Sequence, residues 1–337
     1  MTEDEKTLKD REVEHLILLV GGNPLPNAVA GRLLVKDGGR ITLLHTVDTR
    51  SIADRLKIWF TQQGMVENKI DVRGTDRTHR RAIQVTVEQV LTKDEKGVGL
   101  NYTSGTSAMS VHVHTAVSQR ATNPICSYLD GRSLCMVFDD GATAHVGRLG
   151  QFAITIEDLF WLHDTPLREK KGGSTSHNAV LPDIEGEQKG ERFEKEVGRA
   201  MLSLMENGQI DEMWMNVKAE LSGLDDNKWP EFDVVALRGY QLFFISCGTA
   251  PGRSELKQKL LEAYVRGRQL GGDEACVALA CQRNDPSLEL EIQQTLQVKD
   301  RVKVFGSKHL PKLSQHLSKW IKEQSREGKP CPEINYS

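Results

Sequence analysis

The chain has 337 residues, of which 44 are Lys or Arg and 47 are Asp or Glu, so its formal net charge is −3. At roughly 100–200 residues per domain, this length predicts two domains, each large enough to bury a hydrophobic core. The near-neutral balance excludes a protein that coats nucleic acid through a strongly basic surface, although it leaves room for a local basic patch.

The apolar runs and the N-terminus indicate a cytoplasmic protein without a membrane partner. The run LILLV at residues 16–20 is far shorter than the roughly 18 residues that a membrane helix needs. The N-terminal sequence MTEDEKTLKDREVE is charged where a signal peptide would be apolar. Because the cysteines show no CxxC pair or regular spacing, we expect neither a zinc site nor a disulfide framework. Buried, reduced thiols are expected at Cys126, Cys135, Cys247, Cys276, Cys281 and Cys331.

Strand-like and helix-like segments alternate through the first half of the chain. Apolar or β-branched runs predict strands at residues 16–20, 40–47, 69–74 and 97–103. Amphipathic stretches predict helices at residues 28–35, 51–64, 80–91 and 108–119. Two further strand-like runs, NPICSYLD and SLCMVFDD, lie close enough to form an antiparallel hairpin at one edge. This order predicts an α/β, Rossmann-like domain with a mostly parallel sheet.

The composition changes near residue 166. Residues 168–190 are polar, rich in Gly and Ser and without periodicity, as is typical of an interdomain linker. We therefore expect a first domain at residues 1–165, a linker at 166–189 and a second domain at 190–337. The second domain is predicted to be a small α/β unit, in which a helix and a strand precede the hairpin FDVVALRG and YQLFFISCGT, and a further helix and strand follow it.

The sequence NYTSGTS at residues 101–107 follows a predicted strand and opens a predicted helix. Ligands of open parallel sheets gather at the carboxyl ends of strands, and free amides at a helix N-terminus favour anions. Thr103, Ser104, Thr106 and Ser107 would add hydroxyl donors around Gly105. The loop either cradles a phosphate in this way or is a plain turn with a helix cap. It is not a nucleoside-triphosphate loop, because GK[ST] is absent.

Three other loops are expected at the same sheet edge. The first, at residues 21–27, offers Asn23 and Asn27 to a ligand or forms a stiff turn. Residues 48–50 and 75–81 add arginines, which are as often simply solvated. His112 and His114 lie two positions apart on a predicted helix, so they do not share a face and do not bind a metal as a pair.

The second domain carries a possible divalent-metal site. An Asp at the start of one hairpin strand, together with an acid and a Lys on the next, would bind Mg²⁺ or Mn²⁺ and activate water against a phosphate. Asp233 fits the first role, with Glu194 on the preceding helix. At the partner position this chain has Ser246, Cys247 and Gly248. The alternative is that Asp233 ends a turn and Glu194 lies on a solvated helix face.

Taken together, the domain order and four sequence segments resemble the CARF-domain nucleases of type III CRISPR systems, over essentially the whole chain. The segments are NYTSGTSAMS, Gly190-ERFE, PEFDVVALRGYQLFFISCGT and SELKQKLLEAYVRGRQLGG. The resemblance implies a CRISPR-associated Rossmann fold followed by a PD-(D/E)XK restriction-endonuclease-like domain. It also implies an antiviral protein whose first domain binds a cyclic oligoadenylate, usually the tetra-adenylate, and whose second domain is then switched on as a metal-dependent nuclease.

The resemblance assigns roles to particular residues. The ligand-binding residues that it implies are Asn23, Thr103, Ser104, Gly105, Thr106 and Ser107. Glu194 and Asp233 match the catalytic, metal-binding acids. The departure lies on the next strand, where the family pattern I-E-C-K-T is replaced by ISCGT at residues 245–249. The missing acid and lysine are expected to come from Glu255 or Lys257 on the following helix, since only the geometry of the functional groups matters to the chemistry.

Three functions remain open at the level of sequence. The first is a nuclease that cuts DNA or RNA when the cyclic ligand binds. The second is a sensor or scaffold whose nuclease domain has lost its chemistry. The third is a ring nuclease, in which the first domain cleaves the ligand. A two-fold symmetric ligand would lie on the axis of a two-fold dimer, so we also expect a homodimer.

Overall fold

The computed structural model describes residues 1–147, 154–169, 173–174, 189–220, 230–298, 300–326 and 331. The chain forms two compact units, one of residues 1–152 with 330–337 and the other of residues 153–329. Among the described residues, no helix has both the length and the apolar character needed to cross a membrane.

The first unit contains a seven-stranded sheet. Its strands are β1 (Val13–Leu19), β2 (Val35–His45), β3 (Ile70–Gly74), β4 (Val98–Asn101), β5 (Ile125–Asp130), β6 (Cys135–Phe138) and β7 (Thr143–His145). They lie in the order β3-β2-β1-β4-β5-β6-β7, parallel from β3 to β5 and antiparallel from β5 to β7. The predicted Rossmann-like sheet and its antiparallel edge hairpin are therefore confirmed, with β7 added outside the hairpin.

Helix α1 (Glu3–Lys9) precedes β1. The parallel strands are connected by helices α2 (Leu25–Leu34), α3 (Arg50–Gln62), α4 (Arg80–Val90) and α5 (Ser107–Arg120). The run LILLV is buried throughout because β1 is a central strand, covered on both faces. Close packing of α2 on α3 requires Gly31, where a Cβ would lie 2.3 Å from the ring of Phe60.

The second unit contains a mixed sheet. Its strands are β8 (Leu167–Glu169), β9 (Gly173–Ser174), β10 (Glu212–Ala219), β11 (Glu231–Arg238), β12 (Gln241–Gly248), β13 (Cys276–Cys281) and β14 (Val302–Phe305). Their order is β14-β13-β12-β11-β10-β8, and β9 also pairs with β10. Strand β11 pairs antiparallel with both β10 and β12, whereas β12, β13 and β14 are parallel. The second unit is therefore a mixed α/β domain, as the sequence predicts.

Helices of the second unit, within its described residues, are α6 (Ile156–Leu162), α7 (Lys189–Glu206), α8 (Arg253–Gly271), α9 (Pro286–Leu296) and α10 (Leu313–Gln324). Helices α7 and α10 share one core with the sheet, in which Phe193, Phe243 and Trp320 are buried. Helix α8 lies tight against the sheet, since a Cβ at Gly267 would stand 2.6 Å from the Val277 side chain. The N-terminal half of α8 packs on β12, where a Cβ at Gly248 would lie 2.6 Å from the Leu256 side chain.

The segment between the two predicted domains differs from a plain linker where it is described. Residues 154–165 lie in the second unit, although the sequence-based division places them in the first domain. The reason is packing, because the Ile156 amide donates to Glu212 at 2.7 Å and the Phe160 ring contacts Phe232 edge-on. Strands β8 and β9 fall within the predicted linker and pair with β10. Residues 175–188 of that linker lie outside the described part of the chain.

The expectation of six reduced thiols is wrong at two positions. Cys135, which begins β6, forms a disulfide with Cys331, 196 residues further along the chain. The other four cysteines are buried free thiols, as expected. Sequence spacing could not indicate this pair, because only the fold brings residue 331 to the edge hairpin of the first sheet.

We predict four alkylatable thiols per chain when the protein is denatured without reductant, from 6 − 2 = 4. Reduction before alkylation should raise the number to six, as read by intact mass. Peptide mapping should find residues 135 and 331 in one linked fragment. A count of six without reductant would contradict the disulfide.

Candidate functional site

Two loops touch at the carboxyl edge of the first sheet. Gly21, directly after β1, lies so close to the loop after β4 that a Cβ there would stand 2.7 Å from the Gly105 amide nitrogen. Gly105 itself has a φ of +87°, a conformation that other residues rarely adopt. The two glycines therefore let the backbones of neighbouring loops meet, as the sequence predicted for this edge.

The loops after β2 and β3 join the same cluster. The Thr49 hydroxyl donates to the Val20 carbonyl at 3.1 Å, which ties the β2 loop to the end of β1. The Thr106 hydroxyl donates to the Arg77 carbonyl at 2.6 Å, which ties the β4 loop to the β3 loop. Arg77 also lies 3.4 Å from the Asp48 carboxylate. The four predicted loops thus converge on one edge.

The hydroxyls of the β4 loop have different tasks. Thr103 accepts from the Leu129 amide at 2.7 Å, and Thr106 accepts from the Met109 amide at 3.1 Å as the N-cap of α5. These two threonines build the loop. Within the described part of the chain, the Ser104 and Ser107 hydroxyls have no hydrogen-bond partner and remain available. With the first amides of α5, they are hydrogen-bond donors of the kind that favour anions at a helix N-terminus.

The two asparagines of the β1 loop are structural in this conformation. Asn23 accepts from the Leu25 amide at 3.0 Å and starts the turn into α2. Asn27 is fully buried and donates to the Leu19 carbonyl at 2.8 Å. The suggestion that Asn27 faces a ligand is therefore wrong, because its amide group is enclosed beneath the loop, whereas Asn23 lies in the loop itself.

In the second unit, Asp233 on β11 is held by donors from β12. Its Oδ2 accepts from the Cys247 amide at 2.6 Å and from the Ser246 hydroxyl at 3.1 Å. The carboxylate is only 13% exposed. Ser246 therefore binds Asp233 directly, at the position where the family pattern has an acid.

A lysine approaches Asp233 from α8. Lys259 Nζ lies 3.2 Å from Asp233 Oδ2 and also donates to the Cys247 carbonyl. Sequence reasoning missed Lys259 and favoured Glu255 or Lys257. Lys257 instead pairs with Glu291 of α9, and Glu255 lies in the first turn of α8 beside Gly252. Side chains two positions apart on a helix point about 200° apart, so Lys257 and Lys259 project from opposite sides of α8.

Asn216 and Glu194 place two further side-chain oxygens, of the kind that bind metal ions, near Asp233. Asn216 on β10 stands between the paired residues Met215↔Val234 and Val217↔Phe232, which places it across from Asp233. Its Nδ2 donates to Glu194 of α7 at 3.4 Å, while its Oδ1 is buried without a partner among the described residues. Asn216 has a φ of +48°, a conformation that asparagine tolerates and that the sequence does not signal.

The electrostatics of this cluster centre on Glu194. Burial and the nearby charge of Asp233 raise the pKa of the Glu194 carboxyl to about 7, against the opposing charge of Lys259. Burial also raises the pKa of the Cys247 thiol well above its usual range, so this thiol stays protonated and unreactive. The cluster therefore offers two carboxylates and one amide oxygen beside a lysine.

These donors fit a hard divalent cation. Mg²⁺ and Mn²⁺ prefer oxygen ligands, and the buried, unpartnered Oδ1 of Asn216 is an acceptor that needs a cation or a donor. Glu194 and Asp233 would hold such an ion with Asn216, while Lys259 supplies a separate positive charge.

No family model matches this chain, and no curated protein matches its sequence. Solved structures do match its fold. Protein VC1899 from Vibrio cholerae is 15% identical, with a TM-score of 0.71 over 92% of this chain and 98% of that one. Can2 from Sulfobacillus thermosulfidooxidans, solved in complex with cyclic tetra-adenylate, is 14% identical, with a TM-score of 0.69 over 91% and 99%. The two-domain fold expected from the resemblance is thus confirmed over nearly the whole chain.

We predict that E194Q stabilises the metal-free protein at pH 8 and much less at pH 5. Because the folded-state pKa is raised to about 7, ionisation of Glu194 destabilises the fold as the pH rises from the ordinary Glu value through 7. Because solvent partly screens Glu194, we expect E194Q to raise the free energy of unfolding at pH 8 by about 1–2 kcal/mol, which corresponds to ~2–6 °C in Tm. Thermal unfolding in chelator measures it, with E196Q on the exposed side of α7 as control. Equal shifts at both pH values would contradict the assignment.

Proposed function

We propose that this protein is an ancillary effector of type III CRISPR antiviral defence, in which a cyclic oligoadenylate activates a metal-dependent nuclease in the second unit. The observation that carries the proposal is the contact of Lys259 with Asp233, beside Glu194, in a restriction-endonuclease-like fold. It supplies from α8 the lysine that β12 lacks. The fold match to Can2, which holds cyclic tetra-adenylate, supports the nature of the activator.

The proposed ligand site is the carboxyl edge of the first sheet. The Ser104 and Ser107 hydroxyls and the N-terminal amides of α5 would receive the phosphates of cyclic tetra-adenylate. Thr103, Gly105, Thr106 and Asn23 hold the loops in shape. A ring with two-fold symmetry is best contacted by the same loop from two subunits, so the proposal includes a cytoplasmic homodimer.

In the proposed nuclease site each residue has a distinct task. Glu194, Asp233 and Asn216 would hold Mg²⁺ or Mn²⁺, and that ion would polarise the scissile phosphate and lower the pKa of an attacking water. Lys259 would stabilise the negative charge that develops on the phosphate oxygens of a DNA or RNA substrate. Ser246 and the Cys247 amide keep the Asp233 carboxylate in place.

One observation favours a sensor or scaffold instead. Asp233 Oδ2 already has three partners, namely the Cys247 amide, the Ser246 hydroxyl and Lys259. A carboxylate satisfied in this way is stable without a metal. The two functions therefore differ in whether the cluster binds a cation and cuts, or only completes the fold of the second unit.

We predict that K259M lowers nuclease activity by roughly 10²–10³-fold, because it removes a positive charge from the transition state. K257M is the matched control, since Lys257 lies on the same helix but pairs with Glu291. Labelled single-stranded DNA, RNA and supercoiled plasmid are incubated with and without cyclic tetra-adenylate, Mn²⁺ and chelator. The fate of the ligand is followed in the same tubes.

The outcomes separate the candidates. Cleavage that needs ligand and metal, and that D233A and K259M abolish while K257M retains it, supports the nuclease. Intact substrates with bound, unhydrolysed ligand indicate the scaffold. Loss of the ligand in chelator indicates the ring nuclease, because attack by a ribose 2′-hydroxyl needs no cation. Full activity of K259M would overturn the role given to this lysine.

For the ligand site, we predict that the double substitution S104A/S107A weakens binding of cyclic tetra-adenylate at least tenfold, with little change in Tm. The reason is that both hydroxyls are available to a ligand, while the loop is held by Thr103 and Thr106. S118A, near the other end of α5, is the control. Calorimetric titration measures the affinity, and unchanged binding by S104A/S107A would place the ligand elsewhere.

A further inference from the structure

A second group of metal-ligating side chains lies in the first unit, apart from the nuclease cluster. His114 of α5, Cys126 of β5 and Asp139, just after β6, have ligand atoms that all lie within 4.8 Å of one another. Three different elements supply one nitrogen, one sulfur and one oxygen. Sequence reasoning considered His114 only with His112 and excluded that pair, because residues two positions apart on a helix do not share a face. It did not connect His114 with Cys126 or Asp139.

The ligand-bearing residues are held in position by surrounding contacts. Tyr102 donates its hydroxyl to Asp139 Oδ1 at 2.7 Å, which leaves Oδ2 facing His114 Nε2 at 2.6 Å. The Tyr102 and His114 rings also meet edge-on, with centroids 5.7 Å apart. The Asp139 amide donates to the Cys126 carbonyl at 3.1 Å, so these two residues are fixed to each other through the backbone.

Access and charge also suit a metal ion. His114 and Asp139 are each more than a third exposed, whereas Cys126 is buried at the bottom of the group. A divalent ion with one thiolate and one carboxylate carries no net charge, which lowers the cost of placing it beside a buried strand. The open side leaves a fourth position for water, as in zinc sites with three protein ligands.

We propose that His114, Cys126 and Asp139 bind a Zn²⁺ ion with an open fourth position. On binding, the Cys126 Sγ–H bond breaks, the proton passes to water and an Sγ–Zn bond forms. His114 binds through the Nε2 lone pair of its neutral ring, and Asp139 through Oδ2. The mixture of sulfur, nitrogen and oxygen selects zinc over Mg²⁺, which avoids thiolates.

The position of this site gives it a structural consequence. Tyr102, which orients Asp139, is followed directly by the ligand loop that begins at Thr103. A bound zinc ion would hold α5, β5 and the end of β6 together around Tyr102, and so would stabilise the base of that loop. Zinc should therefore raise the Tm of the full chain.

The test uses Co²⁺ as a spectroscopic probe of the full-length protein, stripped with chelator and kept free of thiol reductant so that the disulfide stays closed. We expect a thiolate-to-cobalt charge-transfer band that saturates at about one Co²⁺ per chain and that Zn²⁺ removes. C126S and H114A should abolish the band, whereas C281S and H112A should retain it. The nuclease cluster contributes no such band, and E194Q/D233N protein should give the wild-type spectrum.

Each result decides the proposal. A band lost in C126S and H114A alone, with a Tm increase on zinc addition to the wild type, supports it. Absence of the band and of any zinc-induced Tm shift in the wild type overturns it, and then His114 and Asp139 form only a hydrogen-bonded pair. A band that persists in C126S, or metal binding lost only in E194Q/D233N, also overturns it. The wild-type measurement stands even where a variant fails to fold.

Discussion

The carboxylate of Asp233 is the constraint around which the proposed nuclease site is built. A carboxylate that is 13% exposed needs hydrogen-bond donors and a positive charge. Strand β12 supplies the donors through Ser246 and the Cys247 amide, and α8 supplies the charge through Lys259. A glutamate at position 246 would add a second negative charge directly opposite Asp233. The serine and the lysine from α8 therefore form one consistent arrangement.

The packing of α8 explains why the lysine comes from the helix. At Gly248, where the family pattern has lysine, a Cβ would lie 2.6 Å from the Leu256 side chain. Helix α8 therefore occupies the space above β12 that a long side chain would need. One turn further along, Lys259 reaches the same carboxylate from the other direction. The role proposed for Lys259 is thereby compatible with a strand that lacks both residues of the motif.

Much of the fold could be predicted from periodicity. Helices α4 and α5 lie within one residue of the predicted bounds at each end, and the parallel order of the first sheet follows from the alternation of strands and helices. The seven-residue helix α1 and the three-residue strand β7 were missed because segments this short carry too little periodic signal. The sequence also does not show whether a polar residue in a loop faces a ligand or holds the backbone, and Asn23 and Asn27 bond to the backbone.

Several residues of the candidate sites are brought together only by tertiary contacts and could not be identified from the sequence. Glu194 and Asp233 were identified through the resemblance, but Lys259 and Asn216 carry no motif, and only the packing of α8 and the register of β10 bring them to Asp233. The same holds for Cys135 with Cys331 and for Cys126 with His114. Each depends on residues distant in the chain, for which spacing gives no information.

The different tasks of the hydroxyls after β4 also bear on protein engineering. Thr103 and Thr106 hold the backbone through hydrogen bonds to Leu129, Arg77 and Met109. Substitutions at these two threonines would therefore destabilise the loop. Ser104 and Ser107 can vary without that penalty. On the proposed ligand site, a library restricted to these two positions would test other cyclic nucleotides on a constant scaffold, as a route to biosensors for rings of other sizes.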